Sequence, residues 1–172
     1  MGGMNANESR RSVLVWAALT GVVVVCAYAV VALVQILVWN PEAAVPGLTA
    51  DEIWRQVGEA QQGPPNAFVV GVIALGPMMA IVLFALFVVT EAGVWSTVAG
   101  YLALLVMGGP GYFVASFGPG MGLADTYYIS GGDASGAGLA LGSVSLLALV
   151  ALIAVFIGAF VRDRRERRLL AA

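Results

Sequence analysis

Side chains able to exchange protons, electrons or ligand bonds are scarce in this chain. It has no histidine and a single cysteine, and all eight of its basic residues are arginine. Without histidine there is no bis-histidine haem, no Ser-His hydrolase and no histidine metal site. Without lysine no Schiff base can form with a chromophore or substrate. Cys26 stands alone in an apolar run, which excludes an intramolecular disulfide and a dithiol oxidoreductase acting by itself. The expectation is a protein that is not an enzyme, with no catalytic residue, resident metal or cofactor; enzymatic activity would require an imported metal or cofactor.

Two weak constellations remain. Met78, Met79, Met107 and Cys26 fall at similar depth along the apolar stretches, a soft donor set for Cu(I) if they converged, although methionine more commonly fills gaps in apolar packing. Asp125 and Asp133, with Tyr127 and Tyr128, are the side chains of a glycine-rich segment with most to offer a cation, and a solvated turn is the simpler reading. Ionisable residues buried among apolar helices would mark a transport or proton path. None of the ten carboxylates lies inside an apolar stretch; Glu91 comes nearest, at a turn.

The other candidates are irregularities of the backbone. Gly76-Pro77 and Gly108-Gly109-Pro110-Gly111 are expected to interrupt two apolar helices, because proline removes an amide donor and crowds the preceding turn. Both fall roughly 12 to 16 Å below one membrane surface at 1.5 Å per residue. Paired breaks at that depth can expose carbonyls to a binding site, so Gly76, Pro77, Gly108, Gly109, Pro110 and Gly111 form a candidate pocket. A kink and an early helix end are the simpler alternative.

These residues must be positioned by membrane helices. The 172 residues are 60% hydrophobic and 10% charged, with a mean hydropathy of +0.94, whereas an ordinary soluble domain is about 45–50% apolar and about 25% charged. About 20 apolar residues cross a bilayer core, and four stretches qualify: about 13–39, 67–90, 94–117 and 138–161. The fold class expected is an all-α integral membrane protein, a single four-helix bundle over 13–161. The first stretch is too long for the apolar core of a removable signal peptide and reads as an uncleaved anchor.

Arginine placement sets the orientation. Arg10 and Arg11 precede the first span, Arg162, Arg164, Arg165, Arg167 and Arg168 follow the fourth, and only Arg55 lies between. Both termini, 1–12 and the basic tail 162–172, are therefore expected in the cytoplasm. Segments 40–66 and 118–137 are then external. The tail arginines read as a lipid-headgroup or topology anchor, with Asp163–Arg167 and Arg162–Glu166 spaced as i,i+4 pairs. No aromatic residues interleave with them, so no nucleic-acid partner is expected. Arginine-only basicity with heavy Ala, Val and Gly usage suggests a GC-rich bacterial source and an inner-membrane location.

The first external segment carries a helix signature. Thr49 and Glu52 have capping-box spacing, Leu48 and Ile53 the spacing of a hydrophobic staple, and Gly63-Pro64-Pro65 is expected to end the helix. Ile53, Trp54 and Val57 share a face, predicting a short amphipathic helix docked onto the bundle or a partner. The second external segment, from Gly118-Pro119-Gly120 to Gly136, is expected to be a flexible loop.

Small residues four apart, Gly138 with Gly142 and Ala154 with Gly158, offer a helix-packing or dimer face; Ala17 with Gly21 and Ala67 with Gly71 repeat the pattern. The partners expected are the lipid bilayer and a second copy or a membrane-complex subunit. The preferred function is a non-enzymatic accessory or scaffold subunit. The alternative is a small oligomeric transporter or channel whose pathway passes the glycine-proline sites.

Overall fold

The computed structural model describes residues 2–170; the side chains of residues 2–7, Glu166, Arg168 and Leu170 lie outside the described set. The chain is helical, with no strand among the described residues. Helix α1 (Gly2–Val34) passes through a π-helical turn (Gln35–Trp39) into α2 (Asn40–Ala44). A connecting helix α3 (Ala50–Glu59) follows, then α4 (Ala67–Val89), α5 (Val94–Tyr127) and α6 (Ala137–Leu170). Among the described residues, four helices are long and apolar enough to cross a membrane: Glu8–Ala44, Ala67–Val89, Val94–Tyr127 and Ala137–Arg165.

The apolar stretches are where the sequence places them, but their ends are not. Only α4 matches its expected span closely, capped where the Asn66 side chain accepts the Phe68 amide at 2.9 Å. Its 23 residues give about 35 Å, close to the thickness of a bilayer core. The 34 residues of α5 give about 50 Å, so α5 overshoots the α4 end by roughly three turns. Residues 118–127, expected in a flexible loop, are the last turns of α5. Close packing explains the glycines there. A Cβ at Gly120 would press on the Gly131 carbonyl, and one at Gly122 on the Gln62 carbonyl and Val57.

The bundle has three layers. Toward the termini, Ala18, Val25, Ala80 and Tyr101 are buried together; a Cβ at Gly21 would overlap the Tyr101 ring, which sits where the glycine leaves room. In the other half, Ala29, Ala32, Ile36, Val69, Ile73, Tyr112, Ala115 and Leu141 form a second layer. Above it Ile53, Val57 and Leu123 join α3 to the overshooting end of α5. Helices α1, α4 and α5 pack mutually, while α6 lies chiefly on α5.

The expected helix interruptions do not occur. Pro77 lies inside continuous α4, and Pro110 and Pro119 inside continuous α5. The break in helical register lies elsewhere, at the π turn, where the Asn40 amide bonds the Gln35 carbonyl five residues back.

Candidate functional site: the connector cap

Most of the side-chain hydrogen bonds that join distant residues gather at the bundle end that carries both long connections. Pro41 marks this arrangement, since it has no amide hydrogen to return to the preceding turn, which holds the Leu37 carbonyl. The Trp54 indole N–H donates to that carbonyl at 2.8 Å. Trp54 thus docks by a polar bond, while Ile53 and Val57 beside it are fully buried against Leu123. The three docking residues expected on one face of α3 all meet the bundle.

The start of α3 is also as expected in part. Thr49 Oγ1 accepts the Glu52 amide at 3.4 Å, and Leu48 packs against the Ile53 cluster. The Glu52 carboxylate turns away from the cap to Arg55 and Gln56, and Glu42 of α2 accepts the Ala50 amide at 3.1 Å. The helix ends before Gly63-Pro64-Pro65, in a left-handed Gln61 with the Gln62 amide bonded back to the Val57 carbonyl, the pattern of a Schellman stop. Tyr127 at the end of α5 donates to Gln56 Oε1 at 2.9 Å, a bond between residues far apart in sequence.

The second connection is pinned rather than loose. The Tyr112 hydroxyl lies 2.8 Å from both carboxylate oxygens of Asp133. Ser135 donates to the buried amide oxygen of Gln35, and the Ala134 amide donates to Asn40 Oδ1 at 2.7 Å. Gly138 is where this loop meets α6, since a Cβ there would fall on the Asp133 carboxylate. Asp133 is therefore held by a tyrosine while remaining exposed in the turn, and Asp125 is exposed as well. Gln35 Nε2 and Thr126 Oγ1 are buried without a hydrogen-bond partner.

Of the glycine-proline residues, Gly108 and Gly109 are part of the packing, while Pro110 is exposed. The Tyr28 ring lies against Gly108, and Ser145 against Gly109. The Tyr28 hydroxyl reaches the Ser145 hydroxyl at 3.1 Å and donates to the Leu141 carbonyl at 3.4 Å, so α1, α5 and α6 are joined at this level. Gly76 is approached by Val25, and Gly111 by nothing within 4 Å. Met78, Met79 and Met107 are exposed on the bundle surface and Cys26 is half-buried.

Charge divides by end. Glu42, Asp51, Glu52, Glu59, Asp125 and Asp133 lie at the cap end with Arg55 alone. Arg10 and Arg11 line a small cleft with Glu91 at the opposite end, where the α6 arginines also lie. Hydrogen bonds from Arg55 and then Gln56 hold the Glu52 carboxyl down at about 2, and the same partnership raises the Arg55 guanidinium further above its ordinary value. Comparison of the chain with protein-family models found no match, and neither did comparison with curated proteins or with solved structures. The site therefore rests on its own geometry.

Of the expected packing face, Gly138 is buried under Asp133, while Gly142 and Gly158 have nothing within 4 Å and Ala154 is exposed. In the tail, Arg167 pairs with Asp163 at 2.9 Å and Arg164 lies 4.4 Å from the Phe160 ring centre. Arg165 is exposed; the Arg168 side chain and the Arg162–Glu166 pairing lie outside the described residues. Gln35, Asn40, Tyr112, Ser135 and the Tyr28–Ser145 pair were not anticipated. The one legible signal was Pro41, which announces a carbonyl in the preceding turn short of a donor without naming the group that serves it.

Proposed function

We propose that this chain is a non-enzymatic accessory or scaffold subunit of a membrane complex, and that its connector cap is the docking platform. The observation that carries the reading is the fixing of α3 from several sides: Trp54 on Leu37, Ile53 and Val57 on Leu123, and Tyr127 on Gln56. A helix held that firmly presents Asp51, Glu52, Arg55 and Glu59 at set positions, and a preformed surface loses less entropy on binding than a mobile one. The matching partner surface is basic and lies outside the bilayer. Seven arginines at the other end support cytoplasmic termini and an external cap, and the arginine-only basicity fits a bacterial inner membrane.

The transport alternative has less support, because Tyr28 and Ser145 stand beside Gly108 and Gly109 where a pathway would need space. A photoreactive residue at Glu59, in cells, tests the platform. The expected result is one discrete adduct that Asp51→Arg abolishes. Diffuse or absent adducts, together with solute flux in proteoliposomes of the purified protein, would replace the scaffold reading by the transport one.

A further inference from the structure

At the end of the bundle opposite the cap, a lateral cleft of about 380 Å³ opens between the start of α5 and the last turns of α6. Trp95 forms one side, and Ala154, Val155, Gly158, Ala159 and Arg162 form the other. The α6 residues recur at i, i+1, i+4, i+5 and i+8, so they make one stripe about 12 Å long down the helix. Small side chains make the trough, and Arg162 stands where the apolar stretch of α6 ends. The volume falls within the range of small-ligand sites, about 300–1,000 Å³.

We propose that this cleft holds an anionic phospholipid, with its phosphate on Arg162 and one acyl chain in the trough of Ala154, Val155, Gly158 and Ala159. The inference is independent of the docking role of the cap. Charge complementarity selects the occupant: the end of α6 carries arginine after arginine, and each near an anionic surface contributes about 1 kcal/mol. Trp95, more than half exposed, is an amphipathic ring of the kind that settles at headgroup level. A second copy of the chain would bring its own arginines to the same place, and the like charges oppose that packing.

The trough can be filled without disturbing the fold. A Cβ at Gly158 meets nothing within 4 Å, so Gly158→Leu projects into the cleft. Gly142 is equally open and lies away from the cleft, which makes Gly142→Leu the control. Binding is read on purified full-length protein in neutral detergent, by quenching of tryptophan fluorescence with chain-brominated phosphatidylglycerol or phosphatidylcholine. Trp95→Phe identifies the share of the signal that belongs to the cleft.

The expected result is saturable quenching of Trp95 by phosphatidylglycerol. Arg162→Gln should reduce the preference over phosphatidylcholine by about fivefold, the equivalent of one such arginine contact. Gly158→Leu should abolish the Trp95 component, Gly142→Leu should leave it, and excess inorganic phosphate should not compete. Equal quenching by both lipids, an unaffected Gly158→Leu, or competition by free phosphate would overturn the proposal. So would a dimer in sedimentation that Gly158→Leu dissociates, because the cleft would then belong to a second copy.

Discussion

The Trp54 indole N–H donates to the Leu37 carbonyl at 2.8 Å, in the turn that precedes Pro41, a residue with no amide hydrogen to give. A proline in one helix is thus answered by a tryptophan in the next. Trp54→Phe keeps an aromatic side chain, though a smaller one, and removes the donor, and should destabilise the cap by about 1–3 kcal/mol or more, through the unpartnered carbonyl and the lost half of the indole. Pro41→Ala supplies a backbone donor to the same turn, so the two changes should be coupled. A thermal double-mutant cycle in detergent checks this; strict additivity would mean that the indole bond does not serve that carbonyl.

The glycines of the α5 extension serve close approach. Gly122→Ala should cost about 1–3 kcal/mol, because its Cβ would meet the Gln62 carbonyl and Val57, neither of which can yield cheaply. Gly142→Ala meets nothing and should be neutral or stabilising by up to about 1 kcal/mol from helix propensity. Thermal midpoints of the two variants should therefore move in opposite directions. A neutral Gly122→Ala would show that α5 is not packed against the end of α3.

Tyr112 holds the second connection through Asp133. Tyr112→Phe should cost about 1 kcal/mol and raise amide exchange over residues 130–136, while leaving α3 protected. Gly138→Ala should release the same segment from the other side by displacing the Asp133 carboxylate. Unchanged exchange in both would mean that the bonds of Gln35 and Asn40 suffice to hold the loop.

Acid should loosen α3 through Glu52. Its folded pKa is lowered from 4.5 to about 2, so the carboxylate contributes fully above the unfolded value and its contribution is lost as pH falls through the folded one. The helix should keep that contribution above about pH 5 and lose it between about pH 4.5 and 2. The Glu52 side chain is partly exposed, so salt should weaken the effect. An NMR titration of Glu52 should give a midpoint near 2 that returns toward the ordinary carboxylate range in Arg55→Gln; a wild-type midpoint in the ordinary range would remove the basis for the prediction.

The orientation proposed from the arginines is open to labelling. On a Cys26→Ala background, a cysteine at Gln61 should react with an impermeant reagent added to intact cells, and one at Ser9 should be protected. The reverse pattern would put the cap in the cytoplasm and any partner with it.

Local chemistry made much of this protein legible in the sequence. The four apolar stretches, the Thr49 cap and the shared face of Ile53, Trp54 and Val57 all follow from hydropathy, spacing and propensity, which act within a few turns of one helix. Glycine and proline were misread by the same local rules. Gly118-Pro119-Gly120 and Gly108-Gly109-Pro110-Gly111 suggest disorder or a break when seen alone, yet α5 runs through both. What decided between loop and helix was the neighbour: Tyr28 and Ser145 beside Gly108 and Gly109, and the Gly131 and Gln62 carbonyls beside Gly120 and Gly122. Asp133 on Tyr112 and Ser135 on Gln35 likewise join residues distant along the chain. A glycine has the same composition whether it frees the backbone or admits a neighbour, and only the packed tertiary structure distinguishes the two.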